Sequence, residues 1–326
     1  MTPPKIKIYV DASSLRDIAC WRKYYLQIVQ GYQLTARRRA NFKAAYGTAF
    51  HRFLEEYYRG VLPIKDCITT AMRIYEPFDA DLPLEEFRTT GHLLQSIKKY
   101  IQENPKESEA IVPKTFTVQG EDGKQEKVLE QQFCIPWWNN NKFEIALCGT
   151  VDMHCEYFGT EVLMDHKTTA TKINFIDSYL EEYEMSNQLQ FYAWTEKVFR
   201  GHQTFLPGVI NGIFLKKQTI KNEKLGIFDG VQFKRSNIIN FSDKQMLDFE
   251  RWFMRKMNEL IKSLDDSAGE ELWWNYERSF CKAGWEKCVF WNVCKHGGEE
   301  LQKQVLETFY DRQEYNPLKF KEQYEK

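Results

Sequence analysis

The sequence predicts an α/β (α+β) protein in which a central mixed sheet is flanked by helices. Helical spacing of apolar side chains dominates the first third of the chain, whereas alternating apolar and polar residues dominate residues 115–169. The pattern then returns to helix near residues 180–200, to a strand over residues 209–217, and to a long helix that begins at Ser242. Such an order of helices and strands is typical of a sheet covered by helices.

Two helices are marked most clearly. Within residues 39–59, apolar side chains recur at helical spacing, and the pattern stops at Gly60, a residue type that commonly follows the last turn. The apolar face of this helix carries Phe50, Leu54 and Tyr57. The helix from Ser242 begins with Ser-Asp-Lys-Gln, which fits a capping box. Its apolar positions share one face, formed by Met246, Phe249, Phe253 and Met257.

Strand-like alternation fills the chain after Pro113. The alternating segments are TFTVQ, KVLEQQFCI, KFEIALCGTVDMHCEY and EVLMDHKTT, with a turn signal at residues 158–160 between the last two. Consecutive alternating segments joined by short turns predict an antiparallel meander. The segment VINGIFLKK adds another strand after the intervening helix, and this order predicts a mixed sheet.

The composition is typical of a folded globular protein. Hydrophobic residues make up 43% and charged residues 28%, which excludes a disordered or fibrous chain. The formal net charge of -1 gives no overall basic field, so a nucleic-acid surface would have to be local. No run approaches the roughly 20 apolar residues that cross a bilayer, and MTPPKIKIYVDASS lacks the apolar core of a signal peptide. We therefore expect a cytoplasmic protein that does not insert into membranes.

Two carboxylates and a lysine meet in the predicted hairpin at residues 149–167. Because side chains alternate along a strand, Asp165 and Lys167 point to one face while His166 points to the other. Asp152, on the neighbouring strand, projects beside them. Carboxylates bind Mg²⁺ or Mn²⁺ and leave positions for water and a phosphate oxygen, and a lysine stabilises charge in the transition state. The alternative is a surface hairpin with an ordinary Lys-Asp pair.

Helices on both sides of this hairpin carry further polar residues. His51 follows Gly47 by one helical turn, so a small residue and an imidazole share a face that can approach a sheet closely. Gln188 and Tyr192 share one face of the later helix, where they suit hydrogen bonding to a phosphate backbone or to the lysine. Either pair alone fits a purely structural helix, but their order along the chain is informative.

These motifs, in this order, resemble those of the RecB-like nucleases within the PD-(D/E)XK superfamily. The matching elements are GxxxH ending at His51, GTVD ending at Asp152, DHK, and QLQFY. The resemblance covers residues 45–195 and implies a restriction-endonuclease-like core of αβββαβ order. It implies a single nuclease domain over residues 1–326. We expect a mainly helical part over residues 1–110 and the core sheet with its helix over residues 111–217. Residues 218–326 are expected to form C-terminal helices that carry the three-cysteine cluster.

By this resemblance, the acidic hairpin is a catalytic metal site. His51, Asp152 and Asp165 are implied as ligands of Mg²⁺ or Mn²⁺, and the backbone carbonyl of His166 as a further one. Lys167 is implied as the catalytic lysine, acting with the two aspartates. The implied reaction is hydrolysis of a phosphodiester by metal-activated water, with in-line displacement at phosphorus.

The same resemblance extends to DNA contacts. Gln188 and Tyr192 are implied to position DNA, and Glu130 occupies the region where some relatives carry another acidic residue. The predicted activity is that of an exonuclease acting on DNA ends or single strands in recombination, repair or replication. No GxxxxGK[ST] motif occurs, so we expect no P-loop motor in this sequence. The protein is expected to be a stand-alone nuclease or a nuclease subunit, and a helicase or recombination protein is a possible partner. The sequence does not determine the oligomeric state.

Three cysteines, Cys281, Cys288 and Cys294, lie close together late in the sequence. Such a group needs a fourth ligand, and the resemblance implies Cys20, within SSLRDIACWRKYYL. Iron-sulfur nucleases, such as the CRISPR-associated adaptation nuclease and AddB-type exonuclease domains, pair such a cysteine with a C-terminal three-cysteine cluster. A 4Fe-4S cluster on these four thiolates would join the N- and C-terminal helical segments.

Alternatives stay open for the cysteines and for the function. The three late cysteines could form a Cys₃His zinc site with His296, or be buried beside Trp285, Phe290 and Trp291. The remaining cysteines fit helix and strand patterns and are expected to be core residues: Cys67, Cys134, Cys148 and Cys155. The alternative functions are a catalytically silent module that binds DNA ends or serves as a scaffold, and a zinc-binding interaction protein whose DHK motif is accidental.

Overall fold

A computed structural model describes residues 5–35, 42–106, 110–119, 125–171, 173–265, 281–283, 286–296 and 298–319. It is a mixed α/β structure with mixed sheets, as the sequence predicts. The strands are β1 (Ile6–Val10), β2 (Tyr32–Leu34), β3 (Ile111–Lys114), β4 (Phe116–Gln119), β5 (Gln125–Val128), β6 (Gln131–Asn139), β7 (Phe143–Val151), β8 (Met153–Tyr157), β9 (Thr160–Thr169), β10 (Gly208–Leu215), β11 (Val231–Arg235), β12 (Lys282–Ala283), β13 (Glu286–Lys287) and β14 (Tyr310–Arg312). The helices are α1 (Ala12–Asp17), α2 (Trp21–Tyr24), α3 (Phe42–Arg59), α4 (Ile64–Asp79), α5 (Thr90–Glu103), α6 (Ile176–Glu181), α7 (Asn187–Arg200), α8 (Ile220–Lys224), α9 (Asp243–Asp265), α10 (Trp291–Cys294) and α11 (Glu299–Phe309). Within the described ranges, no helix combines the length and the apolar character that crossing a membrane requires.

The chain divides into two compact units, each assembled from separate stretches of sequence. The first unit holds Met1–Ala40, Phe133–Gly149 and Lys244–Lys319. The second unit holds Asn41–Gln132, Thr150–Asp243 and Phe320–Lys326. The single nuclease domain expected from the sequence, with its parts divided after residues 110 and 217, stays a prediction.

A five-stranded mixed sheet lies in the second unit, in the order β11-β10-β9-β8-β3. β9 and β10 run parallel, whereas the other neighbouring pairs are antiparallel. A parallel pair needs a long crossover connection, and the segment that contains α6 and α7 provides it. β8 and β9 form a hairpin whose two turn residues, Phe158 and Gly159, have φ of 48° and 78°. Two positive φ angles give a turn whose twist matches that of the strands.

Aromatic side chains fill the core between the helices and the sheet of the second unit. The largest of these fully buried side chains are Tyr46, Phe50, Phe53, Tyr57, Tyr75 and Tyr100, from α3, α4 and α5. Ile213 and Leu215 of β10 belong to the same cluster, so these helices pack on the sheet. The burial of Phe50, Leu54 and Tyr57 confirms the apolar face that the sequence predicts for residues 39–59.

The predicted antiparallel meander is wrong at one point. The segment over residues 142–157 is not one strand, because β7 ends at Val151 and β8 begins at Met153, and the two strands belong to different sheets. β7 pairs with β1, whereas β8 pairs with β3 and β9. The alternation of side chains continues through both strands, but the choice of partner strand changes at Asp152. This residue therefore lies at a break between strands rather than within one.

The first unit contains a three-stranded sheet in the order β1-β7-β6. Its long helix α9 buries the four residues of the predicted apolar face: Met246, Phe249, Phe253 and Met257. α1 begins with a capping box, in which Asp11 Oδ1 accepts from the Ser14 N–H at 2.9 Å and Ser14 Oγ accepts from the Asp11 N–H at 2.8 Å. A smaller apolar cluster contains Leu26, Phe290, Val293, Leu306 and Tyr310.

One of the cysteines predicted to be buried is exposed. Cys67, Cys148 and Cys155 are buried, as the sequence predicts. Cys134 is exposed because it follows the buried Phe133 on β6, and successive side chains of a strand point to opposite faces.

Replacing Gly212 by alanine is expected to destabilise the second unit. A Cβ at this position of β10 would lie 2.4 Å from the Phe214 ring and 2.9 Å from the backbone oxygen of Lys234. The oxygen belongs to the paired strand β11, so it cannot move without disturbing the ladder. We expect the free energy of unfolding, measured in urea, to fall by about 1–3 kcal/mol.

The matched control for Gly212→Ala is Gly91→Ala. Gly91 is exposed in the first turn of α5, and its nearest neighbouring atom would be 3.7 Å from the new Cβ. Alanine there restricts the unfolded chain and is expected to stabilise the protein by about 0.4–1 kcal/mol. Equal stability of the two variants would contradict the close packing assigned to Gly212.

Candidate active site

The central strand β9 carries an ion pair on one of its faces. The Nζ atom of Lys167 lies 2.6 Å from Oδ2 of Asp165. Asp165 is buried, and 23% of the Lys167 side chain remains exposed, so solvent reaches the lysine rather than the carboxylate. His166, between them, points to the opposite face, as the alternation of a strand requires.

Gln188 connects both members of this ion pair. Its Nε2 donates to Asp165 Oδ1 at 3.0 Å, and its Oε1 accepts from Lys167 Nζ at 2.9 Å. The same Nε2 lies 3.3 Å from the hydroxyl of Tyr192, which is one turn further along α7. A glutamine that donates to the carboxylate and accepts from the ammonium restrains both side chains in one arrangement. The spacing of Gln188 and Tyr192 predicts their shared face, but the contact with Asp165 required the structure.

Asp152 joins this group from the break between β7 and β8. Its Oδ2 accepts a hydrogen bond from the backbone N–H of His166 at 2.8 Å. His166 lies beyond Met164, the last residue of β9 that pairs with β8, so the Asp152 side chain takes the place of a partner strand for this amide. The same Oδ2 lies 3.7 Å from Nδ1 of His51. The break in the strand therefore places a carboxylate between β9 and α3.

α3 places His51 against the sheet, beside β9. A Cβ on Gly47, one turn before His51, would meet the Cβ of Thr168 on β9 at 3.9 Å. This is an ordinary van der Waals distance, so the helix lies against β9, but the packing does not require a glycine at this position. The His51 ring contacts the His166 ring edge-on, with centroids 5.7 Å apart. His51 thus lies beside both Asp152 and the backbone of β9.

Burial and neighbouring charges set the pKa values of Asp165 and Lys167. Burial raises the pKa of Asp165 to about 6, with Lys167 opposing the increase and Asp152 adding to it. Burial disfavours the charge on Lys167, but the carboxylates of Asp165 and Asp152 outweigh it and raise the lysine pKa above its ordinary value. Lys167 therefore keeps its proton at neutral pH. Two carboxylates beside one ammonium leave an excess of negative charge that favours a cation.

Two residues that the sequence analysis did not identify, Asn211 and Tyr100, support His166 on the other face of the sheet. Nδ2 of Asn211 on β10 donates to Nδ1 of His166 at 3.0 Å and to the hydroxyl of Tyr100 at 3.1 Å. Because an amide nitrogen only donates, Nδ1 of His166 must accept, which places the proton of a neutral ring on Nε2. The available signal was Asn211 itself, a polar residue within the wholly buried strand GVINGIFL.

The described side chains around Asp165 do not by themselves form a closed metal site. In the part of the chain that is described, no three histidine, cysteine, aspartate or glutamate side chains converge closely enough to hold a metal ion as they stand. Oδ2 of the buried Asp165 contacts the Lys167 ammonium at 2.6 Å. Glu130, named from the resemblance, lies in the bend between β5 and β6.

The four cysteines singled out by the sequence lie in the first unit. Cys20 is buried and forms the N-cap of α2, and the backbone N–H of Cys288 donates to the carbonyl of Cys281 at 2.9 Å. Burial raises the pKa of Cys294 to about 11, against the effect of Arg22, and electrostatic interaction with Cys288, Cys20 and Cys281 raises it further. Each of the other three cysteines is thus near enough to affect Cys294 electrostatically.

Arg22 faces this group of cysteines from α2. It is buried, its Nη2 donates to Oε1 of Gln302 at 2.9 Å, and it also forms a hydrogen bond with Cys294. A buried guanidinium beside several thiols stabilises negative charge on sulfur. His296, the alternative zinc ligand, accepts at its backbone carbonyl from Gln302 Nε2 at 2.6 Å.

Comparison with known proteins gives one result. Residues 13–295 match the family described as the PD-(D/E)XK nuclease superfamily. The matched range includes the acidic group, which we define as Asp152, Asp165 and Lys167. It also includes Gln188 and the four cysteines. A search of curated protein sequences found no match.

Proposed function

The chain belongs to the PD-(D/E)XK nuclease superfamily, and from this membership we propose that it is a Mg²⁺- or Mn²⁺-dependent deoxyribonuclease that works as an exonuclease. The observation that carries the proposal is the buried pair of Asp165 and Lys167, held by Gln188 beside Asp152. A catalytically silent module that binds DNA ends has no need for two carboxylates and a charged lysine at one point.

The donor set suits a hard divalent cation. We propose that His51, Asp152, Asp165 and the backbone carbonyl of His166 hold it. Carboxylate and carbonyl oxygens are the ligands that Mg²⁺ and Mn²⁺ prefer, and an imidazole is compatible with Mn²⁺. The Lys167 ammonium lies 2.6 Å from Asp165 Oδ2, so a bound cation would share this oxygen with the lysine. When bound, the cation would activate water and neutralise charge that develops on the phosphate.

The protein's own groups have separate roles in this proposal. Lys167 carries its proton and stabilises negative charge on the reacting phosphate. Gln188 restrains Lys167 and Asp165 through its two hydrogen bonds, so neither side chain has to reorganise during the reaction. Tyr192, hydrogen-bonded to Gln188, is the second DNA-positioning residue that we propose.

The substrate we propose is DNA with a free end or a single-stranded region, delivered by a helicase or a recombination protein. Linear end-labelled DNA, single-stranded and double-stranded, is compared with covalently closed circular DNA in Mg²⁺, in Mn²⁺ and in EDTA. We expect metal-dependent release of labelled nucleotides from linear DNA and an intact circle. The Asp165→Asn variant, prepared in the same way, excludes a contaminating nuclease.

Two outcomes would contradict parts of the proposal. Cleavage of the closed circle would replace the exonuclease by an endonuclease and leave the metal-dependent nuclease in place. Binding to DNA ends without cleavage in either metal would reject the enzyme and support the silent end-binding module.

The second metal centre that we propose is a 4Fe-4S cluster on Cys20, Cys281, Cys288 and Cys294. It is supported by the electrostatic influence of the other three cysteines on Cys294 and by the buried Arg22, which offsets the charge of thiolate ligands. A zinc site that uses His296 in place of Cys20 is the competing arrangement. Cys20 is buried, as a ligand of a structural metal centre would be.

A further inference from the structure

Two thiols outside both proposed metal centres lie in direct contact. Cys134 on β6 and Cys148 on β7 are on neighbouring strands of the first unit, and their Sγ atoms are 3.0 Å apart. A disulfide has an S–S length of about 2.05 Å, so the sulfur atoms need to approach by only about 1 Å. Paired strands hold their backbones at a spacing that a disulfide can bridge.

The two thiols differ in exposure and in hydrogen bonding. Cys134 is exposed, whereas Cys148 is fully buried. The Cys148 thiol donates a hydrogen bond to the sulfur of Cys134. Burial, together with the neighbouring Cys134, raises the pKa of Cys148, so the buried sulfur holds its proton. A nucleophile that solvent reaches thus lies beside a protected second thiol.

We propose that Cys134 and Cys148 are a reversible dithiol–disulfide pair, a modification site in which the exposed cysteine reacts first and the buried cysteine resolves the product. With a small disulfide such as oxidised glutathione, the Cys134 thiolate attacks one sulfur and releases one glutathione as its thiolate. Cys148 then attacks Sγ of Cys134, breaks the mixed disulfide and releases the second glutathione, while its proton passes to a released thiolate. Two protein thiols are oxidised, and one glutathione disulfide is reduced to two thiols.

The product would close a short loop that contains the connection between β6 and β7. A cross-link limits the unfolded chain and leaves the folded strands in their existing pairing, so it stabilises the protein. This inference is independent of the proposed nuclease function, because neither cysteine belongs to the acidic group or to the four-cysteine group. Disulfides in reducing compartments are mostly transient or redox-sensing, which suits a reversible pair.

The test uses the full-length protein as purified, treated with oxidised glutathione, alkylated with iodoacetamide and mapped by mass spectrometry without reduction. In the wild type we expect a peptide pair joined through Cys134 and Cys148, loss of both alkylation sites, and an upward shift in Tm that dithiothreitol reverses. In Cys148→Ser we expect a persistent glutathione adduct on Cys134 and no shift in Tm. Cys67→Ser, which removes a buried thiol from the second unit, should behave as the wild type.

Three results would overturn the proposal. One is a glutathione adduct that persists on Cys134 in the wild type, which would show that Cys148 does not resolve it. Another is a disulfide that joins either cysteine to a different partner. The third is alkylation of both thiols in the folded protein after oxidant treatment, when the urea-unfolded protein forms the cross-link under the same conditions.

Discussion

Replacing Lys167 by methionine is expected to lower the rate of DNA cleavage by about 100- to 1,000-fold while the protein remains folded. Methionine keeps most of the length of the side chain but removes the ammonium that lies 2.6 Å from Asp165 Oδ2 and that donates to Gln188. The lost charge is the one that we propose stabilises the reacting phosphate.

Stability has to be separated from catalysis in this experiment. Removing one member of a buried ion pair leaves the other without compensation, which can destabilise a protein by roughly 3–5 kcal/mol. Burial raises the Asp165 pKa to about 6, so this carboxyl takes up a proton more readily than an ordinary aspartate, and we expect a smaller loss. The double variant Asp165→Asn with Lys167→Met carries no charge at the pair. We expect it to unfold at a Tm near that of the wild type and to be inactive.

Gln188→Leu provides a graded comparison. This change leaves Lys167 and Asp165 in place but removes the two hydrogen bonds that restrain them. Loss of such a supporting partner typically costs about 10- to 100-fold in activity or metal affinity. Activity should therefore fall less than in Lys167→Met. The control is Asp177→Asn, which alters an exposed ion pair with Lys234 in the same unit and should leave the rate unchanged.

For the first of these variants, a wild-type rate of DNA cleavage in Lys167→Met would reject the proposed active site.

Replacing Cys20 by serine is expected to abolish iron binding and to lower the stability of the first unit by several kcal/mol. A structural metal centre contributes on the order of 10 kcal/mol of binding free energy, and that free energy is coupled to folding. With a ligand missing, the remaining cysteines and the buried Arg22 would lose the group that organises them. The measurements are iron and zinc content, visible absorption of the purified protein, and thermal unfolding.

Cys67→Ser is the matched control for this experiment. Cys67 is also buried, but it lies in the second unit, where its thiol faces the Leu62 carbonyl at 3.7 Å. We expect this variant to keep the iron content of the wild type. Wild-type protein that is colourless and contains zinc but no iron would reject the cluster. If zinc binding survived Cys20→Ser but not His296→Ala, the Cys₃His arrangement would replace it.

Much of the acidic group could be predicted because it depends on regular periodicities. Alternation along a strand places Asp165 and Lys167 on one face, and the structure shows the two side chains in contact. Helical spacing places Gln188 and Tyr192 on one face of α7, and these two are hydrogen-bonded. Such patterns involve only a few consecutive residues, so the direction of these side chains can be predicted without knowing the rest of the fold.

Other features depend on which distant segments pack together. The break at Asp152 was not predicted, because the apolar alternation continues through it and only the exchange of partner strands ends β7. The contact between Gln188 and Asp165, and the support of His166 by Asn211, join residues from separate elements. Local pattern does not specify a partner, since many pairings satisfy the same periodicity.

The sequence by itself determined the mixed α/β class, the order of the nuclease motifs and the faces on which Asp165, Lys167, Gln188 and Tyr192 lie. Only the tertiary structure decided that Asp152 lies at a strand break beside His51, that Cys20 is near enough to affect the pKa of Cys294, and that Cys134 is exposed in contact with Cys148. The physical reason is the distance along the chain over which each kind of information acts. Periodicity follows from the geometry of a single helix or strand, whereas the meeting of remote residues follows from how whole elements bury their apolar faces against each other.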